Sequence, residues 1–138
     1  MIYEVRTYTL TSGSVPIFEE NFAKALPHRE KFSKLGAFWH TEFGPLNQVI
    51  HVWPYKSLDE RNSIRAEAVK DPNWPPPNDP AMYVSMESEI FIPAPFMRPL
   101  GGDQALGNVY EMRIYTYKTG SMPQVIKLWA ESVPHREK

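Results

Sequence analysis

Glu4, Arg6 and Tyr8 have the types and spacing for chemistry on an anion. They fall at i, i+2 and i+4 of a segment rich in β-formers, and alternate residues of a strand share one face. In that arrangement Arg6 binds a carboxylate or enolate, Glu4 orients it or takes a proton, and Tyr8 donates a hydrogen bond. The same residues equally describe a buried Glu4–Arg6 ion pair that fixes the fold, and the pattern leaves both readings open. A second constellation holds two histidines. If Gly44-Pro45-Leu46-Asn47 is a four-residue hairpin loop, Phe43 pairs with Gln48 and His40 stands opposite His51, with Glu42 and Trp53 on their face, whereas a one-residue slip sets His40 opposite Val52. Two imidazoles and a carboxylate suit an acid–base pair or a metal ion. The spacing lacks helical or cysteine-supported ligands, so no metal and no cofactor is assigned. The ligand-binding candidates are therefore Glu4, Arg6, Tyr8, His40, His51 and Trp53, and no residue is given a catalytic role.

Two further groups stay open between chemistry and packing. Trp39, Trp53, Trp74 and Tyr55 can sandwich a flat ligand or fill a core. Pro27-His28-Arg29-Glu30-Lys31 either presents His28 and Arg29 to a cavity mouth or partner, or is a solvated helix face. Glycine-rich phosphate loops, nucleophile elbows and zinc-binding helices are missing from the sequence.

The elements that position these residues follow from periodicity. Ile2–Leu10 alternates and reads as a strand. Gly13-Ser14 supplies a turn and N-cap, Pro16 suits a first helical turn, and Val15, Phe18, Phe22, Ala25 and Leu26 form an amphipathic stripe that Gly36 ends. Strands follow at 37–43 and 48–53. Ser57-Leu58-Asp59-Glu60 is a capping box opening a second helix to about Val69. Residues 71–80 hold five of the chain's 14 prolines and cannot be regular, so they form a lid over a cavity or a docking loop. A fourth strand lies within 82–92. The order β-α-β-β-α-β is a ferredoxin-like α+β unit, an antiparallel sheet with both helices on one face. Glu4 and Arg6 are costly to seal beneath helices, so Tyr3 and Val5 are assigned to the helix side and Glu4, Arg6 and Tyr8 to the opposite face.

That unit starts again. Residues 2–31 recur as 109–138 at a constant offset of 107, with 14 of 30 aligned positions identical and no gap. Tyr3-Glu4-Val5-Arg6-Thr7-Tyr8-Thr9 returns as Tyr110-Glu111-Met112-Arg113-Ile114-Tyr115-Thr116, and Pro27-His28-Arg29-Glu30-Lys31 returns unchanged. Such a period marks a duplicated domain. The expected organisation is a first unit over 1–95, a linker over 96–107, and an incomplete second unit over 108–138 made of one strand and one helix. Two such sheets can pack face to face as a barrel, placing the Glu–Arg–Tyr face inside a shared lumen.

Bulk properties narrow the classes. The 138 residues, 42% hydrophobic, suit one domain with a real core. A net charge of −1 with scattered Lys and Arg gives no footprint for nucleic acid or an anionic membrane. The absence of cysteine excludes disulfides, thiolate catalysis and Fe–S clusters. Without a leader or a long apolar run, a cytoplasmic location is expected.

Several segments carry a resemblance. Tyr3-Glu4-Val5-Arg6-Thr7-Tyr8, Gly36-Ala37-Phe38-Trp39-His40-Thr41, the run Gly44 to Leu58, Asp71-Pro72-Asn73-Trp74 and Pro93-Ala94-Pro95-Phe96 together resemble the NIPSNAP family. The resemblance implies the dimeric α/β-barrel superfamily, in which two ferredoxin-like units form a barrel, and which includes cofactor-free monooxygenases, lactone isomerases and haem-binding enzymes. The family itself has no generally assigned reaction. A tandem member would complete its second unit, and this sequence stops after that unit's first helix. The expectation is a homodimer that binds or transforms a small hydrophobic or acidic metabolite in the lumen; the alternative is a non-catalytic interaction or scaffold protein.

Overall fold

The computed structural model describes every residue except Asp103, Ala105 and Lys138. In chain order its elements are β1 (Ile2–Leu10), α1 (Val15–Arg29), β2 (Ala37–His40), β3 (Gln48–Tyr55), α2 (Leu58–Ala68), β4 (Tyr83–Phe91) and α3 (Met122–Arg136), with a short 3-10 turn at Pro80–Met82. The first compact unit comprises Met1–Pro93 together with Leu100–Gly102. Its four strands pair antiparallel in the order β2-β3-β1-β4, the ferredoxin-like order. Local sequence explains the element starts. Gly13 takes φ +80 at the turn before α1, a conformation that suits glycine. The Ser57 hydroxyl accepts the Glu60 amide at 3.2 Å and caps α2.

The core lies between the sheet and its two helices. Leu10, Val49, Trp53 and Tyr55 from the strands meet Phe18 and Phe22 of α1, with Met82 from the 3-10 turn. Phe22 packs on Phe38 of β2 with ring centroids 4.7 Å apart.

Four expectations are corrected. The first concerns faces. Trp53, which belongs to this core, stands opposite Glu4 in the ladder, and His51 stands opposite Arg6. Residues directly opposite share a face, so Glu4, Arg6 and Tyr8 lie beneath the helices, while Tyr3, Val5 and Thr7 point away. The cost of sealing Glu4 is met by α2 itself, whose Arg61 donates to it at 2.7 and 3.1 Å. The second concerns the hairpin. β2 stops at His40, and the register places Phe38 opposite His51 and His40 opposite Val49. The loop is wider than four residues because Thr41 and Gln48 close it, through Thr41 N–H to Gln48 C=O at 3.0 Å and Gln48 N–H to Thr41 Oγ1 at 3.2 Å. His40 and His51 keep one face but do not oppose each other.

The third concerns Gly36, which does not end a helix, since α1 stops at Arg29. Gly36 instead enters the sheet edge, donating to Val52 C=O at 2.7 Å, and a Cβ there would stand 3.0 Å from that same oxygen. The fourth concerns the second copy. Its helix forms as α3, but residues 109–117 carry no strand pairing among the described residues. Val109 and Ile114 are strongly exposed. Glu111 and Arg113 nevertheless repeat the Glu4–Arg6 contact at 2.7 Å.

Candidate functional site

Alternation along β1 and β3 brings five of the six sequence candidates together under the helices, and they divide into two groups. Glu4 is fully buried and saturated. It accepts from Arg6 at 2.7 Å, from Arg61, and from Ser88 of β4 at 2.7 Å, with Arg65 of α2 at 4.0 Å. Burial acts to raise the Glu4 pKa, but the hydrogen bonds from Arg61, Ser88 and Arg6 outweigh it and hold the carboxyl at about 2. Glu4 does not reach the cavity described next; it anchors the guanidinium groups that do.

Arg6, Tyr8, His51 and Trp53 line a cavity of about 330 Å3 between the sheet and the helices. Arg6 Nε donates to the Tyr8 hydroxyl at 2.9 Å. The indole N–H of Trp53 donates to His51 Nδ1 at 2.7 Å, which places the proton of the neutral imidazole on Nε2. Burial, and next the charge of Arg6, push the His51 pKa down to about 3, so the ring is neutral across the physiological range. Nε2 is buried and has no hydrogen-bond partner among the described residues.

Helix α1 contributes Phe18, Phe22 and Arg29 to the cavity, and α2 contributes Arg65. Arg29 is only 2% exposed. Its guanidinium lies 4.3 Å from the Trp53 ring centroid and donates to the Tyr55 hydroxyl and to Ser33 Oγ, each at 2.8 Å. Burial pulls its pKa below the usual arginine value, though arginine stays cationic. The Pro-rich segment forms the remaining wall through Trp74, Pro75 and Pro76. Trp74 packs against Phe22 and Trp53 with centroids 5.7 and 6.2 Å apart. Asn78 holds the segment down, accepting from Asn21 at 2.8 Å and donating to Tyr83 at 3.0 Å, while Asp71 sits 3.4 Å from His28 and 3.5 Å from Lys31.

His40 stands apart from the site. Its ring bridges Glu19 of α1 at 2.7 Å and Glu42 at 3.2 Å near the surface, and those carboxylates raise its pKa, the Glu19 hydrogen bond foremost. Among the described residues no three His, Asp or Glu side chains converge in a way that holds a metal ion. Sequence reasoning did not assign Phe22, Arg65 or Tyr83 to the site, and left Arg29 open. A signal for Arg65 was present: Arg61, Ile64, Arg65 and Ala68 recur at helical spacing with the buried Ala68, which turns both arginines toward the sheet.

An antiparallel four-stranded sheet with two helices on one face defines a ferredoxin-like α+β protein. Comparison with known proteins narrows that class. The NIPSNAP family model matches residues 3–98, and the chain belongs to that family. Among solved structures, Atu4242 from Agrobacterium tumefaciens superposes with a TM-score of 0.66 at 30% identity, covering 72% of this chain and all of that one. The Dictyostelium discoideum NipSnap homolog is 37% identical over 94 residues, 67% of this chain and 42% of its own. Human NipSnap homolog 3A is 33% identical over 129 residues, 87% of this chain and 49% of its own. The chain thus spans less than half the length of these curated relatives. No described helix is long and apolar enough to cross a membrane.

Proposed function

We propose that the cavity between the sheet and the helices of the first unit binds a small molecule, and that Arg6, Tyr8, His51 and Trp53 contact it. The site so proposed replaces the lumen on the far side of the sheet, because these side chains face the helices. The observation that carries the reading is His51. Its ring is 3% exposed, its Nδ1 is occupied by Trp53, and its Nε2–H has no hydrogen-bond acceptor among the described residues. Leaving a buried donor unmet costs about 1–3 kcal/mol, and such groups are uncommon without a reason. An oxygen acceptor on a ligand would satisfy it. A cavity of this size falls within the usual range for small-molecule sites, and its mix of aromatic walls and a few polar groups is typical of them.

A neutral donor held in a largely aromatic pocket beside a tyrosine hydroxyl suits a carbonyl or enolate oxygen. His51 at about 3 is too weak a base to abstract a proton near neutrality, so its role is to donate and orient. The Pro-rich segment serves as a fixed wall of the same pocket. We also propose that two copies associate through the sheet face that α1 and α2 leave open. Thermal-shift screening with aromatic and carboxylic metabolites tests the pocket, since a ligand of the native state raises the midpoint by linkage. Hits should lose their shift in Trp74→Ala. A screen in which no compound moves the midpoint overturns the reading.

A further inference from the structure

We infer that the ligand is an anion with a flat apolar body, one or two rings carrying a carboxylate or an enolate, and that Arg29 and Arg65 meet its charge. This rests on the pocket reading above. The cavity wall holds three guanidinium groups, from Arg6, Arg29 and Arg65, and no carboxylate among the described residues that line it. The hydroxyls of Tyr8 and Tyr83 accept from Arg6 and Asn78, so their own hydrogens remain to be donated. Together with His51 Nε2–H, the polar lining therefore offers donors almost throughout. A ligand matching it must be rich in acceptors.

The charge balance points the same way. Glu4 is the carboxylate that reaches this group, and it is shared by Arg6 and Arg61, with Arg65 at 4.0 Å. Among the described residues, the Arg29 guanidinium donates to neutral oxygens alone, those of Tyr55 and Ser33. A cation that is 2% exposed, with no carboxylate in hydrogen-bond contact among the described residues and only the more distant charge of Glu4 in its favour, is a poorly balanced buried charge, which a bound anion would compensate. The apolar part of the ligand follows from the neighbours of Arg29. The rings of Trp53 and Trp74 lie against its guanidinium at 4.3 and 5.9 Å, and Phe22 packs on both tryptophans. An anion drawn to Arg29 thus brings its body between aromatic walls, where stacked rings are favoured.

Isothermal titration of the full chain with three molecules of one ring skeleton tests the inference: naphthoate, naphthamide and naphthylmethylammonium. Naphthoate should bind about tenfold or more tightly than the isosteric amide, a difference of about 1.4 kcal/mol, and the ammonium compound should not bind. The preference should shrink at high salt and in Arg65→Gln, whose side chain is about one-third exposed and whose loss leaves the core intact. Arg29→Lys, which keeps the charge but loses the planar fork, should weaken naphthoate more than naphthamide, with circular dichroism reporting that the variant is folded. If the amide binds as tightly as the acid, the inference is overturned and the pocket reading stands. If none of the three binds, the pocket reading falls and takes the inference with it.

Discussion

The indole N–H of Trp53 reaches Nδ1 of His51 at 2.7 Å, two residues along the same strand. That bond fixes the imidazole tautomer, and the fixed tautomer leaves a buried N–H as the group available to a ligand. Arg6, Glu4, Arg65 and Arg29 set the field around it. Burial and three cations against one carboxylate make protonation of this ring unfavourable.

Acid sensitivity follows from that arrangement. The folded His51 titrates at about 3 and its ordinary value is 6.5, so between those limits the unfolded chain binds a proton that the folded chain does not. Stability is therefore full above about 6.5 and declines as pH falls, by up to about 1.4 kcal/mol per pH unit. Denaturant titrations between pH 7 and pH 4 should show a shallower decline in His51→Gln than in the unsubstituted chain. Equal slopes would mean that the histidine is not neutral and buried.

Glu4 acts in a lower window. Its carboxyl is held at about 2 against an ordinary 4.5, so its contribution is present above 4.5 and is lost as pH falls toward 2. At neutral pH, Glu4→Gln should cost about 3 kcal/mol, the low end for breaking a buried pair, since Arg6 and Arg61 keep 15% and 23% side-chain exposure. Arg6→Ala should cost less, about 1.5 kcal/mol, because Arg61 and Ser88 continue to serve the carboxylate. Chemical denaturation of both variants decides the order. A larger loss in Arg6→Ala would contradict it.

Local signals in the sequence carried the fold further than the site. The alternation of β1, the stripe Phe18, Phe22, Ala25 and the Ser57 cap each depend on near neighbours, and each element they mark is present. The face of β1 is opposite to the one its local pattern predicts, because it depends on a residue far along the chain. Glu4 looks too costly to bury until Arg61, 57 positions later, is known to lie above it. The hairpin register failed for a similar reason. Thr41 closes the loop with Gln48, a choice that the residue types at Gly44 and Asn47 do not decide. Arg29 illustrates the remaining gap: its neighbour His28 is near the surface beside Asp71, and one step of helix rotation separates a solvated cation from a buried one.

Gly36 provides a test of the sheet edge that is independent of the cavity. A methyl group at this position would meet Val52 C=O at 3.0 Å and Pro54 Cδ at 3.2 Å, both held by the sheet. Gly36→Ala should destabilise the first unit by about 1–3 kcal/mol through overpacking. Amide exchange should rise in β2 more than in β1, which is paired on both sides. Unchanged exchange at β2 would show that the edge yields freely.

The last expectation concerns association. Neither α1 nor α2 covers the opposite sheet face, where Val5, Trp39, Ile50 and Phe91 are mixed with Thr7, Glu87 and Glu89; Phe91 is 41% exposed, whereas Tyr3 and Val52 on that face are already buried within the chain. Antiparallel sheets commonly leave a polar face in water, but here the apolar side chains of Val5, Ile50 and Phe91 interrupt the polar ones, and a partner face would cover them. Two such faces can stack about 10 Å apart, and a stable pair would bury about 1,200–2,000 Å2 in total. Light scattering coupled to size exclusion should therefore give a mass near twice the 16.0 kDa of the chain. Ile50→Lys, which places a charge at the centre of the face, should shift the population to the single-chain mass while leaving the far-UV dichroism unchanged. A single-chain mass for the unsubstituted protein at every concentration tested would sink the dimer, and would leave the cavity under the helices as a site complete within one chain.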